Sequence, residues 1–463
     1  MLFRAQNLGP IRDAELDLSK NLIILAGPNN SGKTYLGWAL YGLSQFNKPL
    51  PCVRELVDAA IASPTGAHDT GPFPEFLVQF ATEFCALYAE HIHRDFSAAP
   101  DAFASTLLTL VTVPTALPPR EGSFYRIDDR IFQIDFRVHE GMLRVQVSGT
   151  RTDKRNARPS NVGTFESVPL SPITSETKDL LAKHASQKII QYLRWALFRR
   201  SFTIFPVERI ATTIFARELL LRRVEVLDEE NTDEPEQLPS AVRPVAGRYP
   251  LPIRHSLRIA ADLSAYSREE SEFRDLADEL EGSVLQGRFT VSEHGDMLFF
   301  PSASPKQSLG LHQSASVVKS LSALVFYFRH LAQQDDHLII DEPELNLHPD
   351  NQRKVARVLA KAANRGIKIM MSTHSDYLIG EFNNLLMLSR DTPQATAVRQ
   401  ELGYDAESVL KPADVGVYLV QDGLCTPVEV KETGFELKTF EDAFHSMNRD
   451  AQTIYNRIFA ESE

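Results

Sequence analysis

Cysteine is scarce in this chain. Cys52, Cys85 and Cys425 are the only three in 463 residues. They are scattered and odd in number, so they suit neither a disulfide framework nor a metal-binding spacing and read as packing residues. Missing too is any apolar run long enough to cross a bilayer. "LIILAG" and "HLIID" have the length of buried strands, and the opening "MLFRAQNLGPIRDAELDL" meets a charge at its fourth residue, unlike a secretory leader. These absences predict a reducing, cytoplasmic setting without membrane contact. Sustained heptads and internal repeats are lacking, which argues against coiled-coil rods and solenoids. Positive charge is short as well. Lys and Arg number 49 against 61 Asp and Glu, a formal net charge of −12. That balance disfavours a surface gripping nucleic acid all over but leaves room for a local basic groove. The basic stretch 151–158 and the acidic, Pro-containing stretch 227–240 read as solvated loops.

What is present points to a large α/β core. Apolar residues make up 43% of the chain, enough for one large core or two ordinary ones. Residues 1–17 alternate loosely about Gly9-Pro10 and predict two short strands; 21–26 predicts a buried strand and 34–45 a helix. Helical periodicity covers 73–92 and 176–200, with a β meander over 124–149 between them. Later come strands around His294-Gly295, a helix over 316–333, a strand over 337–341, a helix over 349–365 ending at Gly366, and a strand over 367–372. Strand, helix, strand with short connections predicts a parallel sheet covered by helices. Two further strands and a helix over 438–460 follow. The expected organisation is therefore a head split between 1–47 and 284–390, completed by 391–463. A long, mainly helical insertion, 48–283, is free to recognise a partner or trigger. Its aromatic-rich helices at 73–92 and 189–205 are candidate interaction surfaces, with core packing the simpler reading.

Three motifs carry chemistry. Residues 27–34, "GPNNSGKT", fit G-x-x-x-x-G-K-S/T between a strand and a helix. Gly27, Asn29, Asn30, Ser31 and Gly32 would turn successive backbone N–H groups into one concavity for phosphate oxygens. Lys33 would reach the β- and γ-phosphates of ATP, and the Thr34 hydroxyl would ligate Mg²⁺. "HLIIDEPE" (337–344) describes a buried strand that delivers Asp341 to its C-terminal edge as a second Mg²⁺ ligand, with Glu342 placed to polarise the attacking water. "MMSTHSDYL" (370–378) puts His374 just past another buried strand, where an imidazole can sense the γ-phosphate.

Together these residues resemble ATP-binding-cassette (ABC) ATPases, within them the soluble SMC-like and OLD-like branch. The spelling "DEPELNLHP" (341–349) followed by Gln352, the "SDYL" after His374 and "FPVER" (205–209) carry the likeness. It is strong over 1–47 and 284–390 and weak in the insertion. It implies an ABC-type head with an N-terminal antiparallel β subdomain, ATP and Mg²⁺ as cofactors, and a homodimer or higher oligomer with composite ATP sites. The signature candidate is "HQSASVVKSL" (312–321), with Ser314 and Ser316 as nucleotide contacts. Its Ser-Ala-Ser-Val departs from the family's Ser-Ser or Ser-Gly-Gly, so either serine can hold the key position. Asn346, His348 and Pro349 fall in the loop that contacts the partner by the same analogy. No paired coiled-coil arms are present. The tail after 390 has no "DxD" of a TOPRIM nuclease, and Glu401 reads as an ordinary surface carboxylate. The resemblance then extends to ATPase subunits of bacterial anti-phage systems, which control a separately encoded effector such as a nuclease or toxin. A DNA-repair clamp of the RecF type is the alternative, and a scaffold with an incidental ATPase the third.

Overall fold

Every residue of the strand Leu22–Ala26 is apolar and buried, the composition of a strand covered on both faces. In the computed structural model of the chain, which describes residues 1–111, 121–127, 130–151, 174–216, 249–437 and 448–457, this strand pairs in parallel on both sides. Lys368–Thr373 lies on one side and Val415–Gln421 on the other. Beyond Lys368–Thr373 come His337–Asp341 and then Phe202–Phe205, both parallel. Beyond Val415–Gln421 its hairpin partner Leu424–Val428 runs antiparallel and pairs in parallel with Ile11–Asp17. The strand Leu2–Leu8 stands next to Ile11–Asp17. The expected β elements at the N-terminus are thus continuous with the main sheet.

The register decides what this sheet can do. Asp341 stands opposite Ser372, and Thr373 stands opposite Ala26. The loop after Ala26, the pair Asp341-Glu342 and the turn at His374 therefore leave the sheet at one edge.

The chain divides into two compact units. The larger comprises 5–42, 92–106 and 202–463; the smaller comprises 1–4, 43–91 and 107–201. In the larger unit the helices Ser316–Phe326, Pro349–Asn364 and Asp376–Met387 bury Leu321, Val325, Val355, Leu359, Leu378 and Phe382 in one cluster with the sheet. Helix Pro349–Asn364 starts as its sequence suggests, with a proline in its first turn behind the N-cap His348. It stops where Gly366 takes φ +103°. The helix expected over 316–333 is α-helical to Phe326 and closes in a single π turn, Tyr327–Leu331. A small antiparallel sheet is built by Gly287–Val291, Met297–Pro301 and Leu309–Gly310.

The smaller unit holds a four-stranded antiparallel sheet in the order Ala67–Pro72, Met142–Arg151, Arg130–His139, Glu121–Ile127. The helices Pro51–Ala62, Phe73–His91 and Ser175–Phe198 belong to the same unit. Phe73, Phe76, Phe80, Phe84 and Tyr88 are buried, and Phe136 meets Tyr192 edge-on at 4.9 Å. The aromatics of 73–92 are thus mostly core.

The stretch expected as an insertion, 48–283, divides between the units. Residues 92–106 and 202–283 belong to the larger one, because Phe202–Phe205 is a strand of its sheet and Phe273, Leu276, Ala277 and Leu280 pack into its core. The aromatic stretch 189–205 is correspondingly broken. The helix ends at Phe198, Arg199 turns at φ +64°, and "FTIF" continues as a largely buried strand. Of the closing helix expected over 438–460, residues 448–457 are helical. The stretches 152–158 and 227–240 lie outside the described residues.

Two helices of the larger unit are tied by a buried charge. The Glu381 carboxylate, with no exposed side-chain surface, accepts from Arg353 Nε at 2.7 Å and Arg357 Nε at 2.5 Å. Burial raises its pKa, but the two guanidinium groups win and hold the carboxyl below its ordinary 4.5. The stabilisation is complete above that value and is lost as pH falls through the lowered one. Glu381→Ala removes the buried partner of two arginines that still reach solvent, at 41% and 25% exposure, so urea denaturation at pH 7 should show a loss of about 1–3 kcal/mol; no measurable loss contradicts this.

Candidate functional site

Glycine is required at two positions of the loop. Gly27 has φ +145°, and a Cβ there would lie 2.1 Å from the Val420 carbonyl oxygen. Gly32 has φ +101°, and its Cβ would lie 2.6 Å from Ile11 Cδ1. Asn30 also sits at positive φ, +62°, a region asparagine tolerates better than most residues. Helix Lys33–Gln45 begins immediately after Gly32. Its first N–H groups thus stand beside the loop with the positive end of the helix dipole. Asn29 and Asn30 are exposed, while Ser31 and Lys33 are buried.

The Lys33 ammonium is folded across its own loop. Nζ donates to the carbonyls of Gly27 at 3.0 Å and Pro28 at 2.8 Å, with Ser31 Oγ at 3.4 Å. Burial pushes its pKa down to about 8, against the carboxylates of Glu342, Asp341 and Glu344.

Asp341 ends its strand at 2% exposure. Ser372 Oγ donates to Oδ1 at 2.9 Å, and Trp38 Nε1 donates to Oδ2 at 3.2 Å. Burial pushes its pKa up to about 6, against those two hydrogen bonds and the charge of Arg209. Thr34 and Trp38 are four apart on helix Lys33–Gln45 and so share a face of it, the face from which Trp38 reaches Asp341. A hydroxyl and a carboxylate are hard oxygen donors suited to Mg²⁺, which is commonly held by one or two carboxylates with substrate phosphates and water. The described residues contain no cluster of three or more His, Cys, Asp or Glu that could hold a metal unaided.

Glu342 follows in a constrained conformation, φ +47°. Its N–H donates to Ser372 O at 3.1 Å. Its half-buried carboxylate has Oε1 3.5 Å from His374 Nε2. His374 above all, then Lys33 and Arg209, hold the Glu342 carboxyl below its usual range despite burial. Asn29, Glu342, Glu344, Gln352, His374 and Tyr377 line an open pocket of about 450 Å³.

Two residues join the site that the motifs did not single out. Glu344 Oε1 accepts from Thr373 Oγ1 at 2.8 Å and from the His374 N–H at 2.7 Å, fixing the backbone that presents the imidazole. Its Oε2 is buried without a partner, and burial raises its pKa. Arg209, 3% exposed, reaches in from the segment after Phe202–Phe205. It donates through Nη1 to Asp341 O at 2.6 Å and through Nη2 to Glu342 O at 2.7 Å. "FPVER" contained the signal, but nothing in the letters says that its arginine points at two carbonyls.

Of the two signature candidates, Ser314 is buried with its hydroxyl on the Gly310 carbonyl at 3.0 Å. Ser316 is exposed as the first residue of helix Ser316–Phe326, whose N-cap Ala315 supplies no capping side chain. The geometry leaves Ser316, with the free N–H groups of that turn, able to meet an anion. Asn346, at φ +60°, reaches Ser320 Oγ of the same helix at 3.4 Å. His348 stands exposed as the N-cap of the next helix.

Comparison with known proteins gives a family match for part of the chain: residues 257–379 match the AAA ATPase domain. No curated protein matches. Similar solved structures include an SMC head bound to the C-winged helix domain of ScpA, with 12% identity and TM-score 0.36, covering 92% of this chain and 96% of that one. The SMC head domain from Thermotoga maritima has 9% identity and TM-score 0.33, covering 93% and 98%. An SMC head with an extended coiled coil, bound to the C-terminal domain of ScpA and derived from Pyrococcus furiosus, has 12% identity and TM-score 0.33, covering 97% and 98%. At such scores the site geometry, not the likeness, carries the argument. No helix among the described residues is long and apolar enough to cross a membrane.

Two outcomes follow from the loop. Gly27→Ala should abolish binding of a fluorescent ATP analogue, because its Cβ cannot share space with Val420 O; near-normal affinity would contradict the packing. In the wild type the Lys33 ammonium is charged below about pH 8 and neutral above it. Analogue affinity should therefore hold steady at pH 6.5–7 and fall as pH rises past roughly 8, and a flat profile to pH 9.5 would remove Lys33 from the contact.

Proposed function

We propose that this chain binds ATP with Mg²⁺ and hydrolyses it, acting as an ABC-type head that closes on a second copy of itself. The observation that supports this best is the shared sheet edge: Lys33, Asp341, Glu342 and His374 come from three adjacent parallel strands and their following turns. Lys33 can exchange the carbonyls of Gly27 and Pro28 for phosphate oxygens, a swap of one set of acceptors for another. Thr34 and Asp341 would hold Mg²⁺, which when bound screens the phosphate charge. Glu342 is the candidate general base, its carboxyl kept ionised by its neighbours and able to take a proton from water. His374 stands beside it, facing the same pocket. Ser316 would cover the nucleotide of the other copy.

The finer reading is that the closed state holds or releases a separate effector, as in the ATPase subunits of bacterial anti-phage systems. It is supported by the spelling of "DEPELNLHP" and "STHS". Glu342→Gln should bind ATP and trap the closed dimer by size-exclusion chromatography, with turnover lowered by roughly 10²–10⁴-fold. Lys33→Ala should lose binding. Equal turnover in Glu342→Gln and wild type would sink the assignment. Affinity purification of Glu342→Gln with ATP and Mg²⁺, against Lys33→Ala, then separates the biological readings. A stoichiometric protein partner that depends on nucleotide state supports the effector switch. DNA alone, lost in moderate salt, favours a repair clamp.

A further inference from the structure

Arg209 is a buried cation with no carboxylate bonded to it. Its hydrogen bonds go to four backbone carbonyls: Asp341 and Glu342 through the fork, Pro206 at 3.3 Å through Nη1, and Ser320 at 3.3 Å through Nε. A guanidinium is costly to bury, and burial lowers its pKa. The nearby charges of Asp341, Glu344 and Glu342 offset part of that cost, and the four hydrogen bonds hold backbone in place.

The backbone it holds is the one that aims the candidate base. Glu342 occupies the left-handed region, which is strained for a non-glycine residue and persists only where the surroundings over-determine it. Ser372 O fixes the Glu342 N–H on one side. The Arg209 fork fixes the carbonyls of Asp341 and Glu342 on the other. With both flanking peptides clamped, the direction in which the Glu342 side chain leaves the backbone is set. The fourth contact adds a second link, because Ser320 lies on the helix that begins with Ser316. Asn346, four residues past Glu342, reaches the Ser320 hydroxyl. A displacement of that helix is thereby passed to the Glu342 peptide.

We infer that Arg209 is a positioning residue: its fork sets the backbone of Glu342, and its Nε ties that setting to the helix that starts at Ser316. The inference rests on the reading of Glu342 as general base. It assigns Arg209 no contact with nucleotide, so binding and turnover should separate.

Arg209→Lys keeps charge and reach but loses the planar fork, and Arg209→Met removes both. In the full-length protein, kcat should fall about 10–100-fold in Arg209→Lys and further in Arg209→Met. In Arg209→Lys, which keeps the positive charge beside Asp341, the Kd of a fluorescent ATP analogue should stay within about threefold of wild type. If Arg209→Met does not fold, Arg209→Lys carries the test alone. Added to Glu342→Gln, Arg209→Lys should lower residual turnover no further, since the two act through one group. Wild-type kcat in folded Arg209→Lys, a parallel loss of binding and turnover, or additive losses in the double variant would each overturn the inference. Full turnover in Glu342→Gln alone would overturn the reading beneath it and the inference with it, whereas wild-type kcat in Arg209→Lys beside an inactive Glu342→Gln overturns the inference alone.

Discussion

Parallel pairing is the constraint on which the rest of this molecule depends. Leu22–Ala26, Lys368–Thr373 and His337–Asp341 point the same way and stop nearly level, so whatever follows each strand gathers at one edge. Open α/β sheets bind ligands at that edge for this reason. The phosphate loop needs small residues there, because Val420 and Ile11 crowd it from behind. The acidic pair needs an apolar strand beneath it to be delivered dry, and Leu338, Ile339 and Ile340 supply one.

Dryness then governs the electrostatics. Asp341 is raised and Lys33 lowered for the same reason, loss of solvent; the Asp341 charge partly relieves Lys33, while Arg209 and two hydrogen bonds partly relieve Asp341. Glu342, more open and beside His374, moves the opposite way. Three carboxyls within four residues thus take different proton affinities: Asp341 and Glu344 are held up by burial, Glu342 is held down by its neighbours. Separation of this kind suits the roles proposed for Asp341 and Glu342, at a metal and at a water, while Glu344 binds the protein's own backbone.

Much of this architecture was legible in the sequence, and the gaps have physical causes. Buried strands such as "LIIL" and "HLIID" announce themselves by composition. The glycines of the loop, and the carboxylates at a strand's end, are fixed by local chemistry and so appear as motifs. "FTIF" reads equally as the tail of an aromatic helix, because so short a largely apolar run suits either element and only the parallel partner His337–Asp341 decides between them. Arg209 and Trp38 escaped for a related reason. Their partners lie 132 and 303 residues away in Asp341, and no local period encodes such contacts. The choice between Ser314 and Ser316 needed the helix start, which sequence fixes only to within a residue or two.

The place of Leu22–Ala26 between Lys368–Thr373 and Val415–Gln421 also bears on how the chain is made. The ribosome delivers the phosphate loop early, but its two flanking strands emerge only after residues 368 and 415. Until then the loop has no walls, and Gly27 has no Val420 to rest against. Contacts so far apart in sequence form late and slowly. A chain that stopped short of residue 415 would therefore carry the loop's letters without one of the strands that wall it.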